Sequence, residues 1–256
     1  MVLVHILAAT VSVSLISLIG ILLLRAGLSR AFEKGVIGYL VSFATGAILA
    51  AAFFDLLPES AGSIGLMNTA YFSLAGLLSF FALEKCVHWH HHHKGMDCPS
   101  GDCGNKGIPP LGWMILLGDG LHNFFDGVAI AAAFIAGIPV GISVTIAVAL
   151  HEIPHEIGDF SILLYGGLDA AKAAFYNLLS ALTATAGALL FYFASSSVSN
   201  LSGYGLAFAF GNFLYIAVAG LVPELRKEKD AGRSAIQLAT ISLGILSILL
   251  AERVLG

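Results

Sequence analysis

LHNFFDG at residues 121–127 and LHEIPHEIGD at residues 150–159 are the stretches whose reading decides the fold. The residues between them, 128–149, contain no charged side chain and are dominated by Ala, Val and Ile. The two stretches therefore place His122, Asn123 and Asp126 on one hydrophobic helix, and His151, Glu152, His155, Glu156 and Asp159 on the next. An ionisable side chain at the centre of a membrane helix costs roughly 2.5–3.5 kcal/mol on insertion scales unless it faces the protein interior or a bound ion. So many of them on neighbouring helices call for a charged guest. At 3.6 residues per turn, the pairs His122/Asp126, His151/His155 and Glu152/Glu156 each share a helix face. Two such pairs turned toward one another make a four-ligand cage, and the expected first cage is His122, Asp126, His151 and His155. Asn123 and Glu152 lie about 100° further round, where they can serve a second ion beside the first. Neutral imidazole suits zinc, iron, copper or nickel, whereas carboxylate and amide oxygens admit manganese and magnesium. The mixture points to a borderline divalent transition metal, zinc first. Pro154 lies inside the second motif, and its missing N–H is expected to free the carbonyl of Leu150 and bend the helix.

Composition agrees with a membrane setting. The chain is 58% hydrophobic and only 11% charged, with a mean hydropathy of +0.91, against the roughly 45–50% apolar content of soluble domains. About 20 apolar residues span the hydrocarbon core, and eight runs qualify: approximately 2–24, 36–58, 68–88, 111–135, 139–166, 169–195, 203–224 and 235–251. The expected fold is all-α, and the first run reads as a retained span rather than a cleaved leader. Of the 12 Lys and Arg residues, all but Arg253 fall on one side of this eight-span topology. By the positive-inside rule that side is cytoplasmic and both termini are extracytoplasmic.

An internal repeat is visible directly. FATGAILAAAFFDLLPE, 43–59, aligned with FAFGNFLYIAVAGLVPE, 208–224, matches at Phe, Ala, Gly, Leu, Ala, Leu, Pro and Glu. These are spans 2 and 7, which run in opposite directions in the topology above. Inverted repeats of this kind hold their substrate near the midplane between the halves. The expected arrangement is therefore 3+2+3, with helices 1–3 and 6–8 flanking a central pair, 4 and 5, within one transport domain over 1–256.

HNFFDG and HEIPHE, in this order on consecutive apolar segments, resemble the fourth and fifth transmembrane helices of the ZIP family of divalent-metal transporters, and the likeness extends over nearly the whole chain. The resemblance implies metal movement into the cytoplasm without ATP, a homodimer in the cell membrane, and a binuclear metal site between helices 4 and 5. It also implies zinc as the favoured ion, since His151 opens the motif, with iron, manganese or cadmium as alternatives. Asn177 is implied as a further ligand, because the corresponding helix of ZIP proteins supplies one. Asp55 is an accessory candidate: an unpaired carboxylate in a span is costly, and ZIP relatives often carry a polar residue near this point. The expected metal set is then His122, Asn123, Asp126, His151, Glu152, His155, Glu156, Asn177 and Asp55. Partners are metal ions, the bilayer and a second copy, with no nucleic acid.

Two further features need weighing. Residues 89–110 form a His/Cys-containing loop, with Cys98 and Cys103 expected as reduced cytoplasmic thiols, a tract suited to collecting a borderline ion. The string His-Glu-Ile-Pro-His also satisfies HExxH, so an intramembrane zinc metalloprotease is the rival reading. In such an enzyme both His hold one zinc while the Glu activates water, which leaves Asn123, Asp126, Glu156 and Asp159 without a task.

Overall fold

The computed structural model describes residues 1–27, 34–93, 110–165 and 168–255. Every regular element among them is helical. Seven helical runs are long and apolar enough to cross a membrane. They comprise α1 (Val2–Leu23), α2 (Gly38–Ile64), α3 (Leu66–Lys85), the Ile138–Phe160 part of α5, α6 (Ala170–Ser195), α7 (Leu201–Leu225) and α8 (Ala231–Leu250). The remaining expected span is also a helix, α4, Pro110–Ala136, interrupted midway by Asp119, His122, Asn123 and Asp126. Gly137 alone separates it from α5, whose full extent is Ile138–Tyr165, so the two form a tight antiparallel pair. Large apolar side chains such as Leu22, Leu74, Leu190 and Leu243 point outward. Contiguous apolar surface on this scale is at odds with a water-facing exterior and fits a multi-pass integral membrane protein.

Pro154 does not break α5, which stays helical from Ile138 to Tyr165. The helix begun by α3 runs on to His93, further than the span expected from the sequence. Residues 94–109, with Cys98 and Cys103, lie outside the described residues.

The repeat reappears in three dimensions as matched irregularities. α2 contains one π-helical turn, Ala51–Leu56, and α7 contains one at Ile216–Leu221. These are equivalent positions in the two repeats, and each is followed by the shared Pro-Glu, Pro58-Glu59 and Pro223-Glu224. Such turns widen a helix locally and gather at functional sites.

The close packing is matched too. A Cβ on Gly46 of α2 would lie 2.1 Å from the Ile241 carbonyl oxygen of α8, and one on Gly244 of α8 would lie 2.2 Å from that of Phe43. In the other half, Gly211 of α7 approaches the Ser73 carbonyl oxygen of α3 at 1.9 Å, and Gly76 of α3 approaches that of Phe208 at 2.1 Å. Each repeat helix is thus locked to a partner by reciprocal glycines that allow backbone-to-backbone contact. α4 and α6 meet in the same way through Gly127 and Gly187. Hydroxyl groups fasten the remaining seams: Ser180 and Thr183 of α6 donate to the carbonyls of Leu116 and Gly120 on α4, and Ser14 of α1 donates to that of Ala181.

Candidate metal centre

Because α4 and α5 are antiparallel, later residues of α5 stand opposite earlier residues of α4. His151 comes level with Asp126, and His155 comes level with His122, on whose ring it stacks with centroids 5.0 Å apart. Four side chains converge between the helices: His122, Asp126, His151 and Glu152, all buried. His151 Nε2 lies 3.0 Å from Asp126 Oδ2 and 3.4 Å from Glu152 Oε1. His122 Nε2 lies 3.2 Å from Glu152 Oε1, 3.6 Å from Asp126 Oδ2 and 3.2 Å from His151 Nε2.

These separations have a specific meaning. A zinc ion held at ~2.0–2.2 Å by nitrogen and oxygen sets neighbouring ligand atoms of a tetrahedron about 3.3–3.5 Å apart. The observed contacts straddle that edge length. The tautomer agrees: His151 Nδ1 lies 3.1 Å from the Ala147 carbonyl oxygen, so Nδ1–H donates there and Nε2 turns its lone pair toward the cluster, the usual outer support of a metal-bound imidazole. Two imidazole Nε2 atoms and two carboxylates then face one another in a dry interior. The arrangement is costly unless a cation sits among them, and one dication neutralises both carboxylates.

This set differs from the expected cage in one member. His155 is replaced by Glu152. His155 stands a turn further along α5, roughly 6 Å down the axis, where its Nδ1 faces Asp119 Oδ1 at 3.5 Å and Asp159 Oδ2 at 3.6 Å. Glu152 starts on a face about 100° from His151, but its longer side chain swings the carboxylate back to the level of both imidazoles.

A second buried group adjoins the first, formed by Asp119, Glu152 and Glu156. Asn123 Nδ2 donates to Asp119 Oδ1 at 2.9 Å, leaving Asn123 Oδ1 buried without a hydrogen-bond partner among the described residues. The amide nitrogen of Asn177, on α6, donates to the Glu156 carboxylate and to the Ser17 carbonyl, and Asn177 Oδ1 is likewise buried without a partner. Carboxylate and amide oxygens gathered this way suit a cation richer in oxygen ligands. Asp55 is buried in the π-helical turn of α2 and belongs to none of these groups. Asp119 is absent from the expected metal set; the structure buries it one turn before Asn123, whose amide nitrogen donates to it.

The cluster has two unlike sides. A cavity of about 310 Å³ reaches it past His155, Asp119, Asp159 and Glu84. On the other side, Ile130, Ala133 and Phe134 of α4 meet Val144, Ala147 and Val148 of α5 in the principal apolar core, with Ile6 and Val13 of α1. Among the described residues the cluster thus meets a cavity on one side and packed apolar side chains on the other.

Fold and site together define a multi-pass helical membrane protein with a buried imidazole and carboxylate cluster that could hold a metal ion. The family described as ZIP zinc transporter matches residues 98–252, and the chain belongs to that family. It is 45% identical to human zinc transporter ZIP10 over 148 residues, covering 56% of this chain and 18% of that protein. Zinc transporter ZIP13 of Pongo abelii is 36% identical over 226 residues, 82% of this chain and 65% of that protein. The zebrafish metal cation symporter ZIP14 is 44% identical over 135 residues, 51% of this chain and 27% of that protein. The matches therefore span from under a fifth to about two thirds of these relatives' lengths.

Proposed function

We propose that this protein carries divalent transition-metal ions, zinc foremost, across the membrane into the cytoplasm. The observation that carries this reading is the convergence of His122, Asp126, His151 and Glu152, buried together with nitrogen–oxygen separations of 3.0–3.6 Å, around the edge length of a zinc tetrahedron. The names of the relatives support zinc as cargo, and the symporter's name supports a metal-cation range that is not restricted to zinc; iron, manganese and cadmium are the alternatives we propose. The site is binuclear: the second ion sits against Asp119, Glu152 and Glu156, with the amide oxygens of Asn123 and Asn177 turned to it. Asp55 is an accessory acidic group on the route through α2.

The fold follows the 3+2+3 plan in one domain over 1–256, α4 completing eight spans as one of the central pair. The matched π-helical turns and glycine contacts support an inverted repeat, which places the substrate between its halves. Lys85 beside the cavity-lining Glu84, and the other Lys and Arg positions, support a cytoplasmic open end of the cavity and extracytoplasmic termini. An ion entering from outside passes only when the apolar side opens, so access alternates. The His/Cys-containing segment at 89–110 then meets the ion on the cytoplasmic side, and the working unit is a homodimer in the cell membrane.

The protease reading asks His151 and His155 to bind one zinc with Glu152 set apart as the base. The geometry disfavours it, since Glu152 sits in the cage and His155 faces elsewhere. Purified protein in liposomes loaded with a zinc-sensitive dye tests the choice. Zinc added outside should raise the dye signal in wild type, and Glu152→Gln should reduce the initial rate by about 10-fold or more, as expected when a supporting or direct ligand is lost. Peptide cleavage that disappears in Glu152→Gln while zinc influx persists would overturn transport in favour of hydrolysis.

A further inference from the structure

Across the cavity from the metal-holding pair stands a wall that belongs to neither of those helices. Phe80 and Glu84 of α3 form it together with Tyr215, Ile216 and Gly220 of α7. The Tyr215 hydroxyl donates to the Glu84 carboxylate and so ties the two helices together. We propose that Glu84, held in place by Tyr215, speeds the passage of divalent cations between the buried cage and the water outside, without itself holding the ion in the cage. Glu84 supplies the charge and Tyr215 is a positioning residue. This rests on the transport reading above.

Three observations carry the assignment. The first is placement. Glu84 is exposed, yet it lines the same cavity as His122 and Asp119, which are buried at 8% and 2% exposure. An ion travelling between the cage and the water therefore passes in view of this carboxylate. In a cleft with low-dielectric walls a fixed charge acts on a passing ion more strongly than it would on an open surface. The second is fixation. A free glutamate spreads its charge over several rotamers, and the Tyr215 hydroxyl removes that freedom. Tyr215 is itself braced edge-on by the Phe81 ring, with centroids 6.4 Å apart, and it directly precedes the π-helical turn Ile216–Leu221, so it stands where α7 meets the cavity. The neighbouring ammonium, Lys85 Nζ, sits over the Phe81 ring, 5.8 Å from its centroid. The third is asymmetry. At the constant offset of the repeat, the counterpart of Tyr215 in α2 is Ala50, which has no hydroxyl. Packing of the repeat therefore does not call for the pair, and it belongs to the half that lines the cavity. A charge at this place lowers the energy of an ion in transit and leaves that of an ion in the cage nearly unchanged. Entry and release are both accelerated, and equilibrium affinity is not altered.

Stopped-flow transfer of zinc between a zinc-sensitive dye and the full-length protein in detergent tests this, with potassium nitrate setting the ionic strength. At about 0.01 M salt, where the screening length is about 30 Å, Glu84→Gln should slow both zinc association and zinc release by about 5- to 10-fold, the scale for one charge acting on a dication at roughly 6–8 Å in water. The dissociation constant should stay within about twofold of wild type, because the two rates fall together. At about 1 M salt, where screening sets in within about 3 Å, the two proteins should agree within about twofold. Glu84→Asp, which keeps the charge, should restore most of the rate. Tyr215→Phe, which keeps the ring and loses only the hydroxyl, should fall between wild type and Glu84→Gln. A Glu84→Gln deficit that is equally large at both salt concentrations would show a structural role and overturn the proposal. Weakened affinity with faster release would make Glu84 a ligand of the bound ion and overturn it too, and Tyr215→Phe kinetics identical to wild type would remove Tyr215 from it. Tight zinc that survives in His151→Ala overturns the transport reading, and the proposal falls with it, whereas unchanged kinetics in Glu84→Gln beside a lost tight ion in His151→Ala overturns the proposal alone.

Discussion

Replacing His151 by alanine is expected to reduce zinc influx in liposomes by at least about 100-fold while leaving a folded, monodisperse protein. Outer supports of metal sites typically cost ~10–100-fold when removed, and His151 is more than an outer support. Its Nε2 lies within 3.4 Å of Asp126 Oδ2, His122 Nε2 and Glu152 Oε1. No neighbour can replace it, because His155 is turned toward Asp119 and Asp159. The fold should tolerate the change, since α5 is anchored elsewhere by Val144, Ala147 and Val148 in the apolar core. Stopped-flow dye influx together with size-exclusion profiles checks this, and unaltered influx in a well-folded variant would remove His151 from the path.

The second large effect concerns the fold. Gly211→Ala places a Cβ 1.9 Å from the Ser73 carbonyl oxygen, a backbone atom that no rotamer change can move aside. α3 and α7 must separate, and overpacking of this kind costs about 1–3 kcal/mol and occasionally more, a large share of the ~5–15 kcal/mol that typically holds a domain together. Gly62→Ala is the matched control. It lies in the α2 helix with nothing within 4 Å of its Cβ, so alanine there should be neutral or stabilise by about 0.4–1 kcal/mol. Thermal unfolding in detergent should therefore show a clear drop for Gly211→Ala and none for Gly62→Ala. Equal melting would mean that the reciprocal glycine contacts do not hold the halves together.

These two sites differ in how far the sequence announces them. The spacing of His122 and Asp126, and of His151 and His155, is enough to put imidazoles and carboxylates on facing helices, because helical periodicity fixes which residues share a face. Periodicity does not fix the height at which two helices meet, nor how far a side chain reaches. The antiparallel register of α4 and α5 set His155 opposite His122 and Asp119, and the length of Glu152 brought its carboxylate into the place that face counting gave to His155. Asp119 shows the same limit: nothing in the sequence reading put it among the ligand candidates, and its burial comes from the packing around α4. The repeat was legible from Phe43–Glu59 and Phe208–Glu224, whereas the π-helical turns within it were not, since no residue type in AAFFDL or IAVAGL marks the inserted residue. The glycines that lock α2 to α8 and α7 to α3 carry no mark in the sequence of which helix they meet; their partners belong to the tertiary arrangement.

Anomalous scattering from zinc-soaked crystals, collected on either side of the zinc absorption edge, tests the buried cage most directly. The predicted result is a peak about 2.0–2.2 Å from the Nε2 atoms of both His122 and His151, with Asp126 and Glu152 completing the coordination. Zinc that binds the protein yet gives no peak between α4 and α5 would contradict the account.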